Sequence, residues 1–210
     1  GLDWQAYADG SSGLVSFDGS ETFTLEAGNG FWLSSASAWS SNAEVSTVEL
    51  QGDSAATVSL SDGWNIVSNP TGKDVPFAAI QAAHPDTLQP PMGWDGSWYV
   101  ADTMKSAASG VAYYFNNTEG LDELTIPYPG SPNEAGSKVA PKANDASLLA
   151  LSARSAAADG PASTVQVGLD ARASNGLDAR DHFAPTGQFE NVSLRLDAPE
   201  GDRSLLVERR

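Results

Sequence analysis

Residues 63–70 read GWNIVSNP: a glycine, a short alternating run and a proline that ends it. Because successive side chains of a β-strand point to opposite faces, Trp64 and Ile66 are predicted to share one face. The residues between them then lie on the other face. Pro70 restricts the backbone of the residue before it, so the strand is expected to end there. The stretch therefore predicts a core strand that the chain enters through a turn at Gly63.

The chain is strongly acidic. Its 210 residues include 27 Asp and Glu against 11 Lys and Arg, a formal net charge of −16. Such a surface repels phosphate backbones and anionic lipids, which argues against nucleic acid as a partner. An acidic excess with few lysines is typical of adaptation to high salt, which screens self-repulsion; an ordinary acidic extracellular protein is the alternative. The sequence has no cysteine and no run of about 18 apolar residues, so neither disulfides nor membrane insertion is expected.

Residues 1–130 hold all six tryptophans and alternate short apolar runs with Gly, Asp, Asn and Ser, a pattern typical of strands and turns. One stretch, DVPFAAIQAAHPD (74–86), instead predicts a short helix with Asp74 as its cap. In it Phe77, Ile80 and His84 share a face, and His84 is expected near the negative end of the helix dipole. The strands are predicted at Leu14–Phe17, Glu21–Leu25, Gly30–Leu33, Val45–Leu50, Ala56–Leu60, Trp64–Ser68, Ser97–Ala101, Val111–Phe115 and Leu124–Ile126.

Composition divides the chain into three parts. Residues 131–146 are rich in Pro, Gly, Ser and Ala without periodicity, and predict a linker. Residues 147–210 contain four further alternating runs: SLLALSA, STVQVGLDA, FENVSLRLDA and RSLLVE. The predicted fold is therefore mostly β, an aromatic-rich repeat β-module with one short helix (1–130) linked to a small antiparallel β-sandwich-like domain. That domain is short for a sandwich, so a further strand is expected beyond its end.

The first part contains an internal repeat. FDGSETFTLEAGNGFWL (17–33) aligns with WDGSWYVADTMKSAASGVAYYF (94–115) after a few insertions. Each unit begins with an aromatic-Asp-Gly-Ser turn, since Asp-Gly readily adopts the positive φ angles of hairpin turns. Each ends with a glycine before an aromatic strand, which suits a close backbone approach. The second unit spans about 61–128, whereas the first is interpreted as truncated, its beginning lying upstream.

These motifs carry a resemblance. DGWNIVSNP, the helix, WDGSWY and a glycine before an aromatic strand together resemble a repeat module of large secreted bacterial proteins. In that family a Gly-Trp-Asn-hydrophobic-hydrophobic-Ser-x-Pro strand leads each unit and a Gly-Tyr/Phe-Trp strand closes it; here GVAYYF lacks the tryptophan. GLDARASNGLDARDHFAPTGQFENVSLRL (168–196) resembles a β-domain near the C-termini of type IX-secreted proteins, with one proline where that family often has two. The resemblance implies an exported, accessory and non-catalytic protein.

Catalytic patterns are sparse. The sequence has no Gly-x-Ser-x-Gly elbow and only two histidines, His84 and His182, which argues against a Ser-His-Asp triad. Zinc needs clustered Cys or His, which the sequence lacks. A glycosidase needs two carboxylates across a cleft, and none of the 27 acids stands out as such a pair. The chain is therefore expected not to be an enzyme, and a hydrolytic or glycoside-hydrolase-associated domain is a distant third interpretation.

The candidate binding residues are Trp94, Asp95, Trp98 and Tyr99. Flat rings beside a polar turn stack on sugar faces, while a carboxylate accepts hydrogen bonds from hydroxyl groups. The competing and favoured interpretation is that these rings fill the core, because aromatic side chains dominate small cores. Trp94 and Trp98 share a face if they belong to one continuous strand.

A calcium site is the only metal site that the sequence suggests. Asp170, Asn175, Asp178 and Asp181 supply oxygen ligands around a glycine. Their spacing differs from that of an EF-hand loop, and Asp and Asn also stabilise turns without metal, which is the favoured interpretation. No other cofactor is expected.

Taken together, the residues and the resemblance predict a structural or adhesive module of a larger exported or cell-surface protein from a salt-adapted bacterium. Its expected partners are other domains of the parent protein. The alternative is a carbohydrate-binding module that grips polysaccharide through residues 94–99.

Overall fold

The computed structural model describes residues 4–10, 13–19, 27–38, 40, 48, 50, 54–130, 147–157, 162–174, 176–178, 181–185, 192–198 and 204–209. Within these residues the fold is mostly β, with one α-helix. The elements are β1 (Trp4–Gly10), β2 (Gly13–Ser16), β3 (Trp32–Ser35), β4 (Ala55–Ser59), β5 (Gly63–Ser68), β6 (Val75–Pro76), α1 (Phe77–Ala82), β7 (Met92–Trp94), β8 (Trp98–Val100), β9 (Thr103–Met104), β10 (Ala112–Asn117), β11 (Glu123–Pro127), β12 (Ser147–Ala153), β13 (Ser163–Leu169), β14 (His182–Phe183), β15 (Leu196–Asp197) and β16 (Ser204–Arg209).

A four-stranded antiparallel sheet in the order β5-β10-β7-β8 lies at the centre of the part formed by residues 1–130. The strand predicted from GWNIVSNP is its edge strand β5, and it pairs with β10 along its whole length from Gly63 to Ser68. Gly63 has φ of 77°, a left-handed conformation that suits glycine, which confirms the predicted turn. The strand ends just before Asn69-Pro70, as predicted.

The alternation in β5 and β10 gives the central sheet two apolar faces. One face carries Val67, Tyr113 and Phe115 into a cluster, core 1, together with Ile80 of α1 and residues of β4 and β11. The other carries Trp64, Ile66 and Tyr114 into a second cluster, core 2. The predicted division of residues 64–67 between two faces is therefore confirmed, with both faces covered.

The fold repeats itself. Strands β1 and β2 form a hairpin whose first strand also pairs with β3, in the order β2-β1-β3. Strands β7 and β8 form a hairpin whose first strand pairs with β10, in the order β8-β7-β10. The pairing Gly10↔Gly13 shows that the hairpin equivalent to Asp95-Gly96 follows Asp9. The sequence alignment matches Asp18-Gly19 to that turn; this dipeptide follows β2, and the strand predicted after it, Glu21–Leu25, lies outside the described residues, so its role as a hairpin turn stays a prediction.

The predicted helix is shorter than its sequence pattern, running only from Phe77 to Ala82. Ile80 is buried and Phe77 packs against core 1, as the predicted face requires. Asp74 is not the cap, because Pro76 occupies that position without a side-chain hydrogen bond. The Asp74 carboxylate instead accepts hydrogen bonds from Lys105 Nζ at 2.9 Å and from the Ser106 amide at 2.8 Å, which lowers the pKa of Asp74.

Residues 147–209 contain a second sheet, in the order β12-β13-β16-β14, with β15 also paired to β16. Most of its pairs are antiparallel, but β13 and β16 are parallel, with Gln166 opposite Val207. Three of the four predicted strands here are found at β12, β13 and β16, whereas FENVSLRLDA yields only β15 among its described residues. No helix in the described ranges is long and apolar enough to cross a membrane.

The strand predictions for residues 1–130 differ in outcome. Six of them overlap β2, β3, β4, β5, β10 and β11, and Ser97–Ala101 contains β8. Glu21–Leu25 lies outside the described residues, as do four of the six residues of Val45–Leu50. Strands β1 and β7 were not predicted, because WQAYADG and MGW contain few β-branched residues and little alternation.

Candidate functional site

The aromatic cluster comprises Trp32, Trp64, Trp94, Trp98 and Tyr114. Strand β3 contributes Trp32, β5 contributes Trp64, the β7–β8 hairpin contributes Trp94 and Trp98, and β10 contributes Tyr114. Ring centroids lie between 4.9 Å, for Trp94 and Trp98, and 6.1 Å, for Trp32 and Trp94. Several pairs are edge-to-face, the arrangement that the ring quadrupoles favour. The aromatic cluster is thus a packed assembly of rings rather than a flat platform.

Tyr114 lies at the centre of the aromatic cluster. The centroid of its ring lies 5.9 Å from that of Trp32, 5.8 Å from that of Trp64 and 5.5 Å from that of Trp98. Trp32 Nε1 donates a hydrogen bond to the Tyr114 hydroxyl at 3.2 Å. Burial raises the pKa of Tyr114 to about 12, and the nearby negative charge of Asp9 adds to the rise while the Trp32 hydrogen bond opposes it. Tyr114 therefore stays neutral as a hydrogen-bonded core residue.

Two buried polar atoms near Tyr114 have no hydrogen-bond partner within the described part of the chain: Asp9 Oδ2 and Trp98 Nε1. Burial raises the pKa of Asp9 to about 6, since desolvation disfavours the carboxylate. Sequence reasoning missed Asp9, because an Asp-Gly pair in a hairpin is ordinarily a solvent-exposed turn. The position of Asp9 therefore disfavours the charged form of its carboxyl group.

Core 2 joins the aromatic cluster to the second sheet. It contains the buried residues Met92, Trp98 and Tyr114 from residues 1–130. The same cluster contains Val165 of β13 and the β16 pair Leu206 and Val207, all at most 4% exposed. The aromatic face of the central sheet therefore packs against residues of β13 and β16 in the second sheet.

Two of the residues predicted to bind sugar, Trp94 and Trp98, belong to the aromatic cluster. They lie directly opposite one another on β7 and β8, so their shared face comes from hairpin pairing and not from one continuous strand. Trp98 is 7% exposed and Trp94 is half-buried. Their rings are tilted by 63°, which does not provide a single flat stacking surface.

The other two predicted residues, Asp95 and Tyr99, lie at the surface. Asp95 Oδ1 accepts hydrogen bonds from the backbone N–H and hydroxyl of Ser97, both at 3.3 Å, and so closes the hairpin turn. Tyr99 is 39% exposed. A Cβ atom at Gly93 would lie 2.2 Å from Tyr99 Cζ, so the ring lies across a strand position that has no side chain. Burial raises the pKa of Tyr99, and the charge of Asp95 raises it further.

The suggested calcium ligands form hydrogen-bonded turns. Asp170 pairs with Arg172 through Oδ1 and Oδ2, both at 3.1 Å. Asp178 Oδ2 accepts from the Ser174 amide at 2.7 Å, and Asp181 Oδ2 accepts from the Asp178 amide at 2.9 Å. Asn175 lies outside the described residues. Among the described residues, no group of three or more His, Cys, Asp or Glu side chains is arranged to hold a metal ion.

His84 has a structural contact. Its Nε2 accepts a hydrogen bond from the backbone N–H of Thr125 at 3.1 Å, which ties the end of α1 to β11. His84 lies just past the C-terminal end of α1, as the sequence predicted, and its interaction with the helix dipole stays a prediction. His182 is part of β14 in the second sheet.

Sequence reasoning found the hairpin tryptophans but not the full aromatic cluster. Trp32 and Tyr114 are 82 residues apart, and only tertiary pairing brings them together. Alternation along β5 predicts the face on which Trp64 lies. Alternation along β10 likewise puts Tyr114 in core 2 and its neighbour Tyr113 in core 1. No protein-family model, curated protein or solved structure matches this chain.

Proposed function

We propose that this protein is a non-catalytic structural module of a larger exported or cell-surface protein. In this proposal the aromatic cluster is a joint that fixes residues 1–130 against residues 147–210. The supporting observation is core 2, in which Trp98 and Tyr114 share one buried cluster with Val165 and Leu206. Buried apolar side chains shared by both parts favour a stiff connection, since inter-domain contacts that permit motion are more polar.

The charge and the turn chemistry support the same role. A net charge of −16 keeps a surface protein soluble and suits a salty exterior, where counterions screen it. The carboxylates predicted to bind calcium bond to backbone amides and to Arg172, and His84 bonds to a backbone amide. These polar groups stabilise turns, as expected of a module that spaces or presents other domains.

A leucine substitution tests the joint, because all six tryptophans lie within residues 1–130. Leu206→Ala truncates a side chain of β16 that is only 4% exposed. Because β16 has no tryptophan, any change in tryptophan emission reports on residues 1–130 and not on the substituted strand. We expect Leu206→Ala to lower the melting temperature reported by tryptophan emission by roughly 5–15 °C, equivalent to about 2–5 kcal/mol of lost core packing. An emission transition that stays at the wild-type temperature contradicts the joint.

The matched control is Leu169→Ala on β13. Leu169 is 72% exposed, so the same change of side chain removes little buried surface. Its effect on the tryptophan transition should stay within about 0.5 kcal/mol. An equal effect of both variants would mean that the transition does not report on core 2.

Tyr99 favours a second candidate function, binding of polysaccharide. Its ring is 39% exposed, lies across Gly93 and has the Asp95 carboxylate beside it. Stacking of a sugar on this ring would shift protein emission in a titration with a polysaccharide panel. The shift should disappear in Tyr99→Ala and persist in Phe31→Ala, which removes another exposed aromatic ring. Unchanged emission with every glycan would reject this candidate.

A further inference from the structure

Strand β12 is an apolar edge of the second sheet. Among the described residues it pairs only with β13, at every position from Ser147 to Ala153. All of its residues except Ala153 are exposed. The two leucines on the face that continues core 2, Leu149 and Leu151, are 62% and 45% exposed. The backbone groups that point away from β13 therefore face outward beside exposed leucine side chains.

This edge lacks the features that normally prevent strand pairing between chains. Protected edges carry charges, proline or a bulge, or are very short. Strand β12 reads SLLALSA and β13 reads STVQVGL, with no charged residue and no proline in either. Their register is continuous, without a bulge. In a chain of net charge −16, these two strands form an uncharged patch where a second copy meets little repulsion.

The patch is also self-complementary. A two-fold axis through Ala150 places each strand antiparallel to its copy, the isologous arrangement of most homodimers. Leu149 of one copy then lies opposite Leu151 of the other, and the pair occurs twice. Both leucines lie on the face of Val165, because Leu151 pairs with Val165 and Leu149 with Val167. The four leucines therefore extend the apolar face of core 2 across the dimer.

We infer that two copies of the chain associate through antiparallel pairing of their β12 strands. The contact joins the two second sheets into one continuous sheet and covers the exposed leucines. Strand addition at a sheet edge obtains affinity from main-chain hydrogen bonds and specificity from the alternating side chains. This inference rests on the second sheet alone and does not depend on the proposed joint.

Mass in solution is the first test. Analytical ultracentrifugation of the full chain should show a concentration-dependent monomer–dimer equilibrium. The dimer should strengthen with NaCl, because salt near 1 M shortens the screening length to about 3 Å and removes repulsion between two acidic copies. A chain that stays monomeric at high concentration and high salt overturns the inference and leaves the edge to a different partner.

A charge exchange tests the register. Leu149→Lys/Leu151→Lys places lysines opposite lysines in the two-fold pairing, and Leu149→Glu/Leu151→Glu does the same with glutamates. Each double variant alone should have a dimer dissociation constant at least roughly tenfold higher than the wild type, because like charges lie opposite. A mixture of the two should form heterodimers, since every opposed pair is then of opposite sign. Failure of the mixture to associate contradicts the antiparallel register.

Leu169→Glu is the control for nonspecific apolar association. Leu169 is 72% exposed but lies on β13, one strand in from the edge, opposite Ser147. It should leave the dimer dissociation constant within about threefold of the wild type. If Leu169→Glu dissociates the dimer as strongly as the β12 variants, the association is a general apolar contact and strand pairing is refuted. Unchanged far-UV circular dichroism verifies that each variant is folded.

Discussion

At the scale of single residues, buried polar groups define how the fold is held. Asn69 is fully buried, and its amide group donates to the carbonyl oxygens of Lys73 and Met104 while its Oδ1 accepts from the amide and hydroxyl of Thr71. Asn69, which follows β5, is thus the centre of a hydrogen-bond network, the Asn69 hub, that holds the next turn in place. The sequence predicted where the strand stops but not this network, because its partner Met104 lies 35 residues away.

Asn69→Asp tests this hub at constant shape. A carboxylate has no N–H group to donate, so the Met104 carbonyl loses this hydrogen bond and the Lys73 carbonyl keeps only the one from the Thr71 hydroxyl. We expect the free energy of unfolding to fall by about 3 kcal/mol in urea denaturation, since each buried group left unpaired costs roughly 1–3 kcal/mol. Asn116→Asp adds the same charge at a half-buried position of β10 and should lower the free energy of unfolding by less than half as much. Equal effects would show that charge, not the lost donor, is responsible.

Asp9 predicts an unusual pH dependence. Its folded pKa, about 6, lies above the ordinary value of 3.8, so the folded state holds the proton more tightly than the unfolded state. The stabilisation from protonated Asp9 is complete below about pH 3.8 and is lost as the pH rises through 6. Asp9→Asn removes this titration. Between pH 4 and pH 7 the urea midpoint of the wild type should therefore fall more than that of Asp9→Asn, and parallel curves would contradict the buried carboxylate.

At the scale of elements, alternation was the most reliable signal. Alternation predicted the position of β5 and the faces of its side chains. Successive side chains of a strand point to opposite faces even when both faces are buried, so those of β5 enter core 1 and core 2 in turn. Alternation missed β7, a short strand centred on Gly93. The capping preference that pointed to Asp74 also failed, because Asp74 binds Lys105 instead. Short strands and caps depend on tertiary partners that a local pattern does not contain.

The glycine before the aromatic strand β3 has the predicted close approach. A Cβ atom at Gly30 would lie 2.6 Å from Ile66 Cγ2 and 2.7 Å from Ala112 Cβ. Gly30→Ala should therefore push β3 away from the central sheet and cost about 1–3 kcal/mol in thermal or urea unfolding. Gly72→Ala is the matched control, because no atom lies within 4 Å of its added methyl group. A neutral Gly30→Ala would mean that β3 is not packed against β5 and β10.

At the scale of the whole molecule, the charge predicts salt-dependent stability. With a net charge of −16, self-repulsion destabilises the compact state at low ionic strength, and counterions relieve it. The melting temperature should rise steeply from low salt to molar NaCl. An uncharged osmolyte such as sucrose at matched osmolality is the control, because it favours compact states without screening charge. A flat response to NaCl would contradict salt adaptation.

The sequence does not predict the joint between the two parts of the chain. The composition of residues 131–146 suggested two separate units, and no local pattern links Trp98 to Leu206. Their shared core arises only when the second sheet covers the aromatic cluster. The two parts should then open together, because removing either side exposes the apolar surface of the other.

Native-state hydrogen exchange of the wild type and Leu206→Ala tests this joint most directly. The readout is the opening free energy of amides in β16, which contains the substitution, and in β10, which carries Tyr114. We expect Leu206→Ala to lower the opening free energy of both strands by a similar amount. A loss of protection confined to β16, with β10 unchanged, would contradict the aromatic joint.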